Sequence, residues 1–290
     1  MKKVTLIVMA ILSSLFMFAQ NETDTTKNWE IGGESSLTFS QVSLINWAAG
    51  GESSVSGNAF LNLNANYARG KNIWENKLEL AYGLMKQGEQ DMRKTNDKLS
   101  LASSYGYEAT KKWYYIASLT FNSQFSDGYN YPNDSVLISS FLAPAYVLAA
   151  LGMEYKPNEV FSVMILPVSG RLTIVNDDSL SAQGAFGVEP GNKTRFEFGG
   201  TVKMEIQKEI MKNVSLQSNL QLFSNYLDEP QNIDVNWEAM LNMKINDYLS
   251  ANLSTTLIYD HDIKITDKDG NTGPRVQFKE VFGVGFSYKF

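Results

Sequence analysis

Residues 276–290 decide the fold, and they read VQFKEVFGVGFSYKF. Side chains of opposite character alternate along this stretch, which is typical of a β-strand lying between two different environments. One face carries Phe282, Val284, Phe286, Tyr288 and Phe290, and the other carries Val281, Gly283, Gly285, Ser287 and Lys289. A strand in a soluble β-sandwich also alternates, but it seldom exposes five large apolar residues in one row. The stretch therefore predicts a strand with one face towards lipid.

The same alternation recurs along most of the chain. Because apolar and polar residues alternate in each segment, the sequence predicts an all-β fold. The number of such segments is even, as in single-chain bacterial barrels. We expect a transmembrane antiparallel up-and-down β-barrel of about twelve strands rather than a soluble sandwich. The predicted strands cover residues 29–39, 55–67, 74–84, 99–107, 113–125, 145–155, 161–175, 196–206, 216–226, 235–243, 249–259 and 276–290.

The connections between these segments alternate in length, which supports the barrel independently. Short turns on one side and long loops on the other are typical of outer-membrane barrels, where the short turns face the periplasm. We expect both termini on that side. The short connections are residues 70–72, 110–112, 156–159, 209–213 and 246–248, and the long ones are 41–52, 86–96, 126–139, 176–194, 227–232 and 262–275.

The first residues predict export from the cytoplasm. Lys2 and Lys3 precede an apolar run over residues 4–18, which is too short for a membrane-spanning helix and ends in Phe-Ala-Gln before polar sequence. This pattern indicates a secretory signal peptide. We predict a removed signal peptide over residues 1–19, a polar lead-in over 20–27 and a single barrel domain over 28–290.

Composition excludes several classes of protein. The net charge is −6 without any basic block, which makes nucleic acid an improbable partner. The chain has no cysteine, so disulfides and thiolate metal sites are excluded. Phosphate-binding loops, dinucleotide-binding fingerprints and paired metal-binding histidines are absent from the sequence, and we expect no cofactor and no metal.

One predicted strand changes phase. Phe161, Val163 and Ile165 share a face, whereas Val168, Leu172 and Ile174 continue on the other parity. Proline donates no hydrogen bond to a ladder, and glycine tolerates unusual backbone angles. Pro167 and Gly170 between the two sets therefore predict a β-bulge at residues 167–170.

The faces predicted to line the lumen carry charges of both signs. A wall of one sign would select one class of ion. A mixed wall favours salt bridges that fill a narrow barrel, and this is the interpretation that we prefer. The charged residues are Glu75, Lys77, Glu79, Lys98, Glu108, Arg195, Glu197, Lys203, Glu205, Glu238 and Lys244.

Residues 41–52 interrupt the alternation with small residues and one tryptophan. One interpretation is a loop folded into the lumen as a plug, formed by Asn46, Trp47, Gly50 and Gly51. The other is an ordinary outer loop with a glycine turn. The plug is favoured because this segment is apolar for an exposed loop tip.

His261 is the only histidine, and Asp260 and Asp262 flank it. It could act as a general base in a lipid hydrolase, but no G-x-S-x-G nucleophile turn accompanies it. A calcium loop at residues 267–271 lacks the required glycine position and a closing glutamate, so a hairpin turn is the better interpretation. We therefore predict no catalytic residues, no cofactor-binding residues and a non-enzymatic protein.

Two resemblances add to this. The final strand is similar to the terminal sorting signal of outer-membrane barrels, which implies that Phe286, Tyr288 and Phe290 are read by the assembly machinery. QVSLINWAAGGE, PVSGRLTIVNDD and FSNYLDEPQNIDVNWE, which begin at Gln41, Pro167 and Phe223, resemble an uncharacterised family of Bacteroidota envelope proteins. That family is catalogued as a domain of unknown function. The resemblance implies an outer-membrane barrel and no activity.

The expected function is non-enzymatic passage of a small solute or lipid across the outer membrane. The alternative is a non-transporting scaffold or accessory subunit bound to another envelope protein, and a lesser alternative is a membrane-embedded lipid-modifying enzyme. We expect membrane lipid and the assembly machinery as partners, with an envelope protein as a further candidate.

Overall fold

A computed structural model describes residues 28–45, 51–131, 133–266 and 270–290. The predicted signal peptide and lead-in lie outside these residues. The barrel strands are β1 (Trp29–Val42), β2 (Ser54–Arg69), β3 (Asn72–Gln87), β4 (Arg93–Thr110), β5 (Trp113–Ser123), β8 (Ala145–Asn158), β9 (Phe161–Ile174), β10 (Thr194–Met211), β11 (Val214–Asn225), β12 (Ile233–Lys244), β13 (Leu249–Tyr259) and β16 (Gln277–Lys289). The loops hold β6 (Gly128–Tyr129), β7 (Leu137–Ser139), β14 (Lys264–Thr266), β15 (Thr272–Pro274), helix α1 (Asp178–Ala182) and a 3-10 turn (Ala185–Gly187).

The twelve long strands close into one antiparallel barrel, which confirms the predicted fold. Each strand pairs with its neighbours along the chain, and β1 pairs with β16 to close the cylinder. The closing register runs from Glu34 opposite Lys289 to Phe39 opposite Val284. Closure leaves no edge strand, so every long strand has a hydrogen-bonding partner on both sides.

The predicted alternation separates the outer wall from the lumen. On β16, Phe282 and Phe286 are 59% and 61% exposed, whereas the glycines between them are buried. Similar exposed rows of large apolar side chains run along β1, β5 and β10. In a closed barrel, the backbone N–H and C=O groups of the strands hydrogen-bond to neighbouring strands, and the apolar outer wall faces lipid. The chain is thus an outer-membrane β-barrel.

Aromatic side chains cluster on the outer wall at the end of the barrel with the short turns. The ring centroids of Trp29 and Tyr67 are 5.2 Å apart, and those of Trp29 and Trp74 are 5.6 Å apart. Trp113 and Tyr155 make a further pair at 4.9 Å. Aromatic girdles of this kind mark the interface between lipid and water.

Strand β9 contains a bulge as predicted, but at residues 166–168 rather than 167–170, because Gly170 is paired regularly with both neighbouring strands. Leu151 on β8 lies opposite Val168, but Met153 lies opposite Ile165, so β9 holds one extra residue here. The same shift appears against β10. Gly152 stands opposite the bulge, and a Cβ added there would lie 2.1 Å from the carbonyl oxygen of Ile165. The bulge therefore requires glycine at position 152.

The connections follow the predicted order of short turns and long loops. The connection between β3 and β4 is shorter than predicted, because the strands extend to Gln87 and from Arg93, with an irregular register at Gly83. The prediction of a loop over residues 86–96 was therefore wrong at its ends. The loop after β13 contains the expected hairpin, in which β14 pairs with β15.

Two long loops pack together over the end of the barrel that is opposite the short turns. A buried apolar cluster joins Ala143 in the loop after β5 to Val175, Leu180 and Val188 in the loop after β9. The backbone N–H of Asn176 also donates to the carbonyl oxygen of Leu142 over 2.9 Å. Among the described residues, none of the helices has the length and apolar character needed to cross a membrane.

Candidate functional site

Two cavities within the described part of the lumen share some of their lining, and this shared lining defines the candidate site. The larger, of about 600 Å³, extends towards the long loops, and the smaller, of about 200 Å³, extends towards the short turns. Side chains that line both cavities lie on β3, β4, β5, β11 and β12. The shared residues are Glu79, Lys98, Thr120, Asn122, Asn219, Gln221, Asn236 and Glu238.

Lys98 connects opposite walls of the barrel between these cavities. Its Nζ lies 2.8 Å from Oε2 of Glu79 on the adjacent strand and 2.7 Å from Oε2 of Glu238. Strands β4 and β12, which carry Lys98 and Glu238, are six strands apart in either direction around the barrel. Lys77 also contacts Glu79 over 2.8 Å. This set of four side chains, the central bridge, crosses the full width of the lumen.

Further links join strands that are not neighbours, and three of them each span the same distance around the barrel. Nζ of Lys156 lies 2.7 Å from Oε1 of Glu75, which joins β8 to β3. Lys203 donates to Oγ1 of Thr120 over 2.9 Å, which joins β10 to β5. The amide of Asn242 donates to Glu34, which joins β12 to β1. Each of these links spans three steps around the barrel, so these side chains connect separate parts of the barrel wall.

An arginine–carboxylate cluster lies nearer the long loops. Arg171 donates to both carboxylate oxygens of Glu197, over 2.6 and 2.5 Å, and it lies 2.7 Å from Asp234. Glu197 is 2% exposed, so its carboxylate is stabilised by these protein partners rather than by water. Arg195 contacts Glu197 over 3.2 Å and also forms a salt bridge with Asp262. The cluster connects β9, β10 and β12 to the loop after β13.

The structure places the predicted lumen charges in different settings. Those that take part in the links described above are Glu75, Lys77, Glu79, Lys98, Arg195, Glu197, Lys203 and Glu238. Lys77, Lys203 and Glu205 line the smaller cavity, whereas Lys244 is half exposed and pairs with Asp247 in the following turn over 2.7 Å.

Most of the predicted plug lies outside the described residues. Asn46, Trp47 and Gly50 fall there, so the inward loop stays a prediction. Gly51 is described and has a left-handed backbone with φ of 108°. A Cβ at Gly51 would lie 3.1 Å from a methyl carbon of Leu44, and the predicted turn at Gly50 and Gly51 stays a prediction.

His261 lies at the edge of the arginine–carboxylate cluster. Its Nδ1 is 3.2 Å from the hydroxyl of Tyr259, and its Nε2 is 3.9 Å from Glu229. The backbone N–H of His261 donates to the carboxylate of Asp234 over 3.4 Å. Within the described ranges, no serine hydroxyl lies within hydrogen-bond reach of the imidazole, which a catalytic pair would need.

The predicted assembly residues lie on the outer wall. Phe286 and Tyr288 are about 60% exposed, and the rings of Tyr288 and Phe290 stack with centroids 5.9 Å apart. Phe290 exchanges two backbone hydrogen bonds with Gly33, over 2.9 and 3.0 Å. These residues thus complete the seam between the first and last strands, and their recognition by assembly machinery stays a prediction.

Sequence reasoning missed Arg171 as a lumen residue. It follows the bulge, where the inward parity of β9 has just reversed. The sequence contains a signal for this. Polar Arg171 and Thr173 alternate with apolar Leu172 and Ile174, so the polar pair belongs to the inward face. A count made from Pro167 onwards, rather than from the start of the strand, identifies Arg171 as inward-facing.

Comparisons with known proteins add little about activity. Residues 39–129 match a family described as "Protein of unknown function (DUF3078)". This match covers less than half of the chain, and the Bacteroidota origin stays a prediction. No curated protein matches the chain.

Several solved outer-membrane barrels are weakly similar in structure. The translocator domain of the autotransporter NalP from Neisseria meningitidis has a TM-score of 0.37 at 10% identity, covering 99% of this chain and 96% of that one. The COG4313 outer membrane channel from Pseudomonas putida F1 has a TM-score of 0.40 at 14% identity, with 93% and 100% covered. The NanC porin has a TM-score of 0.39 at 8% identity, with 88% and 98% covered. Similarities this low assign no function to the chain.

Proposed function

We propose that the protein passes a small polar solute across the outer membrane through the barrel, without chemical change to the solute. The observation that carries the proposal is the central bridge between two internal cavities. Lys98 holds Glu79 and Glu238 on opposite walls, with side chains that are 14–33% exposed. The bridge therefore acts as the constriction, and the larger cavity acts as the entry chamber.

The interior supports passage better than it supports a purely structural barrel. A barrel of about eight strands is filled by its own side chains, whereas sixteen strands leave a water-filled channel. Twelve strands leave space that long side chains cross only in places. The cavity of about 600 Å³ is in the range of roughly 300–1,000 Å³ that is typical of small-molecule sites.

Solute entry into proteoliposomes tests the proposal. Vesicles with the purified protein are diluted into isosmotic glucose, lysine hydrochloride or sodium glutamate, and swelling is followed by light scattering. Glu238→Ala removes the link across the lumen but leaves Lys98 bound to Glu79. We expect this variant to admit at least one solute several-fold faster than the unmodified protein, because the constriction is opened.

Glu75→Ala is the matched control. It also removes a glutamate from a lumen salt bridge, and the two glutamate side chains are 34% and 33% exposed. Residue 75 lines neither cavity. Equal swelling rates for the two variants, or no entry of any solute above protein-free vesicles, would contradict the proposed function. Heat-modifiable migration on gels shows that each variant is folded.

A further inference from the structure

The smaller cavity is lined, among the residues that the structure describes, by six charged side chains. Four of them form the central bridge, where they pair with one another over 2.7 to 2.8 Å. The other two are Lys203 and Glu205, which stand two residues apart on β10. Neither forms a salt bridge with any residue in the described ranges. A cation and an anion without ionic partners therefore line the same space.

Lys203 has a single neutral partner. Its Nζ donates to Oγ1 of Thr120 over 2.9 Å, and the residues opposite it on the neighbouring strands are Met164 and Gln221. A lysine ammonium group has three N–H donors, so two of them have no acceptor within the described part of the chain. Because Lys203 is partly exposed rather than buried, a ligand can reach these donors.

Glu205 is exposed, and its carboxylate accepts no hydrogen bond from the residues that the structure describes. The residues opposite it are Ser162 and Asn219, which are uncharged and line the same cavity. An ionised carboxylate can accept several hydrogen bonds. Its oxygens are therefore available to a donor in the cavity.

The spacing of Lys203 and Glu205 would allow direct contact, as another pair shows. Lys77 and Glu79 are also two residues apart on one strand, and their charged groups lie 2.8 Å from each other. Side chains at this spacing share a face, with Cα atoms about 6.6 Å apart. Lys203 instead reaches across to Thr120 on β5, so its ammonium group stays apart from the carboxylate. This separation leaves room for a ligand that carries both charges.

An α-amino acid carries a carboxylate and an ammonium group on one carbon atom. Each would make a charge-assisted hydrogen bond to the protein, which is roughly twice as strong as a neutral one. A ligand with one charge would leave the second protein group unpaired, which is unfavourable. The cavity of about 200 Å³ is smaller than the roughly 300 Å³ at which small-molecule sites usually begin, so the ligand's side chain must be short.

We propose that the smaller cavity binds an α-amino acid with a short uncharged side chain, its carboxylate at Lys203 and its ammonium group at Glu205. This inference rests on the proposed function, since it names the class of solute that passes the central bridge. It follows from two unpaired groups of opposite sign, their separation on one strand and the limited volume of the cavity.

Three ligands of similar size test the inference. Alanine carries both charges, propionate lacks the ammonium group and ethylamine lacks the carboxylate. Binding of each radiolabelled compound to the detergent-solubilised protein is measured by equilibrium dialysis. The dissociation constant of alanine should be at least tenfold lower than that of either other compound, because alanine alone satisfies both groups. No measurable alanine binding, or binding of propionate or ethylamine as tight as that of alanine, would overturn the inference.

Two variants assign the charges. Lys203→Met keeps the length of the side chain but removes the cation, so alanine should bind no better than ethylamine. Glu205→Gln removes the anion, so alanine should bind no better than propionate. Lys208→Met is the matched control and should bind alanine like the unmodified protein, because Lys208 is exposed on the same strand and lines neither cavity.

Heat-modifiable migration on gels shows that each of these variants is folded. Alanine affinity in either cavity variant equal to that of the Lys208 variant would place the ligand elsewhere and overturn the assignment of this cavity.

Binding and passage fail separately. Alanine binding without any solute entry into vesicles would support the amino-acid site and contradict the proposed function. Solute entry without preferential binding of alanine would support passage and contradict the amino-acid site.

Discussion

Arg171 is the central residue of the arginine–carboxylate cluster in the lumen, where it contacts Glu197, Asp234 and Asp260. It alone makes two hydrogen bonds to Glu197, and its guanidinium also lies 4.3 Å from the ring centre of Phe223. Without it, the Glu197 carboxylate, which is 2% exposed, would keep Arg195 at 3.2 Å as its one ion-pair partner among the described residues. Removal of one partner from a buried ion pair is more harmful than removal of both.

We therefore expect Arg171→Met to lower the free energy of unfolding by about 3–5 kcal/mol. Urea titration of the protein refolded into lipid vesicles, followed by tryptophan fluorescence, measures the change. Lys193→Met is the control, because Lys193 pairs with the exposed Asp178 outside the barrel, where solvent screens the charges. An Arg171 variant as stable as the Lys193 variant would show that the cluster does not stabilise the fold.

The inward charges could be read from the sequence, but their partners could not. Parity along a strand predicts that Lys98 and Glu238 both face the lumen. That they meet depends on closure of the barrel and on the register of every strand between them, because they are 140 residues apart. Arg171 was missed for a related reason, since one extra residue reverses parity along the rest of a strand.

At the scale of elements, the bulge in β9 is the main departure from regular pairing. Pro167 and Gly170 made it predictable, because each disturbs a regular ladder. Its dependence on Gly152 was not predictable, since that residue lies on the partner strand and only the register brings it opposite Ile165. The bulge also sets the direction in which Arg171 points, so it connects backbone geometry to the lumen cluster.

Gly152→Ala should destabilise the barrel by about 1–3 kcal/mol, because the added methyl group meets backbone rather than a side chain that can move. The urea midpoint in lipid vesicles and the yield of the heat-modifiable form both report this. Gly273→Ala is the matched control, since no atom lies within 4 Å of a Cβ at that position. Equal midpoints for the two variants would mean that β8 and β9 separate at no cost.

At the scale of the whole molecule, the number of strands, their alternation and the order of loop lengths were all predictable. Each depends on local pattern and on the requirement that a membrane barrel be closed. The packing of the two long loops through Ala143, Val175 and Leu180 was not predictable, because loop conformation follows tertiary contacts rather than periodicity. The predicted periplasmic position of the short turns stays a prediction.

The central claim is that a twelve-stranded barrel is crossed at mid-height by the central bridge. Single-channel recording of the unmodified protein in planar lipid bilayers tests it most directly. The structure predicts a small conductance or none, because Lys98 joins opposite walls between the two cavities. A large, stable and weakly selective conductance from the unmodified protein would show an open lumen and would contradict the account.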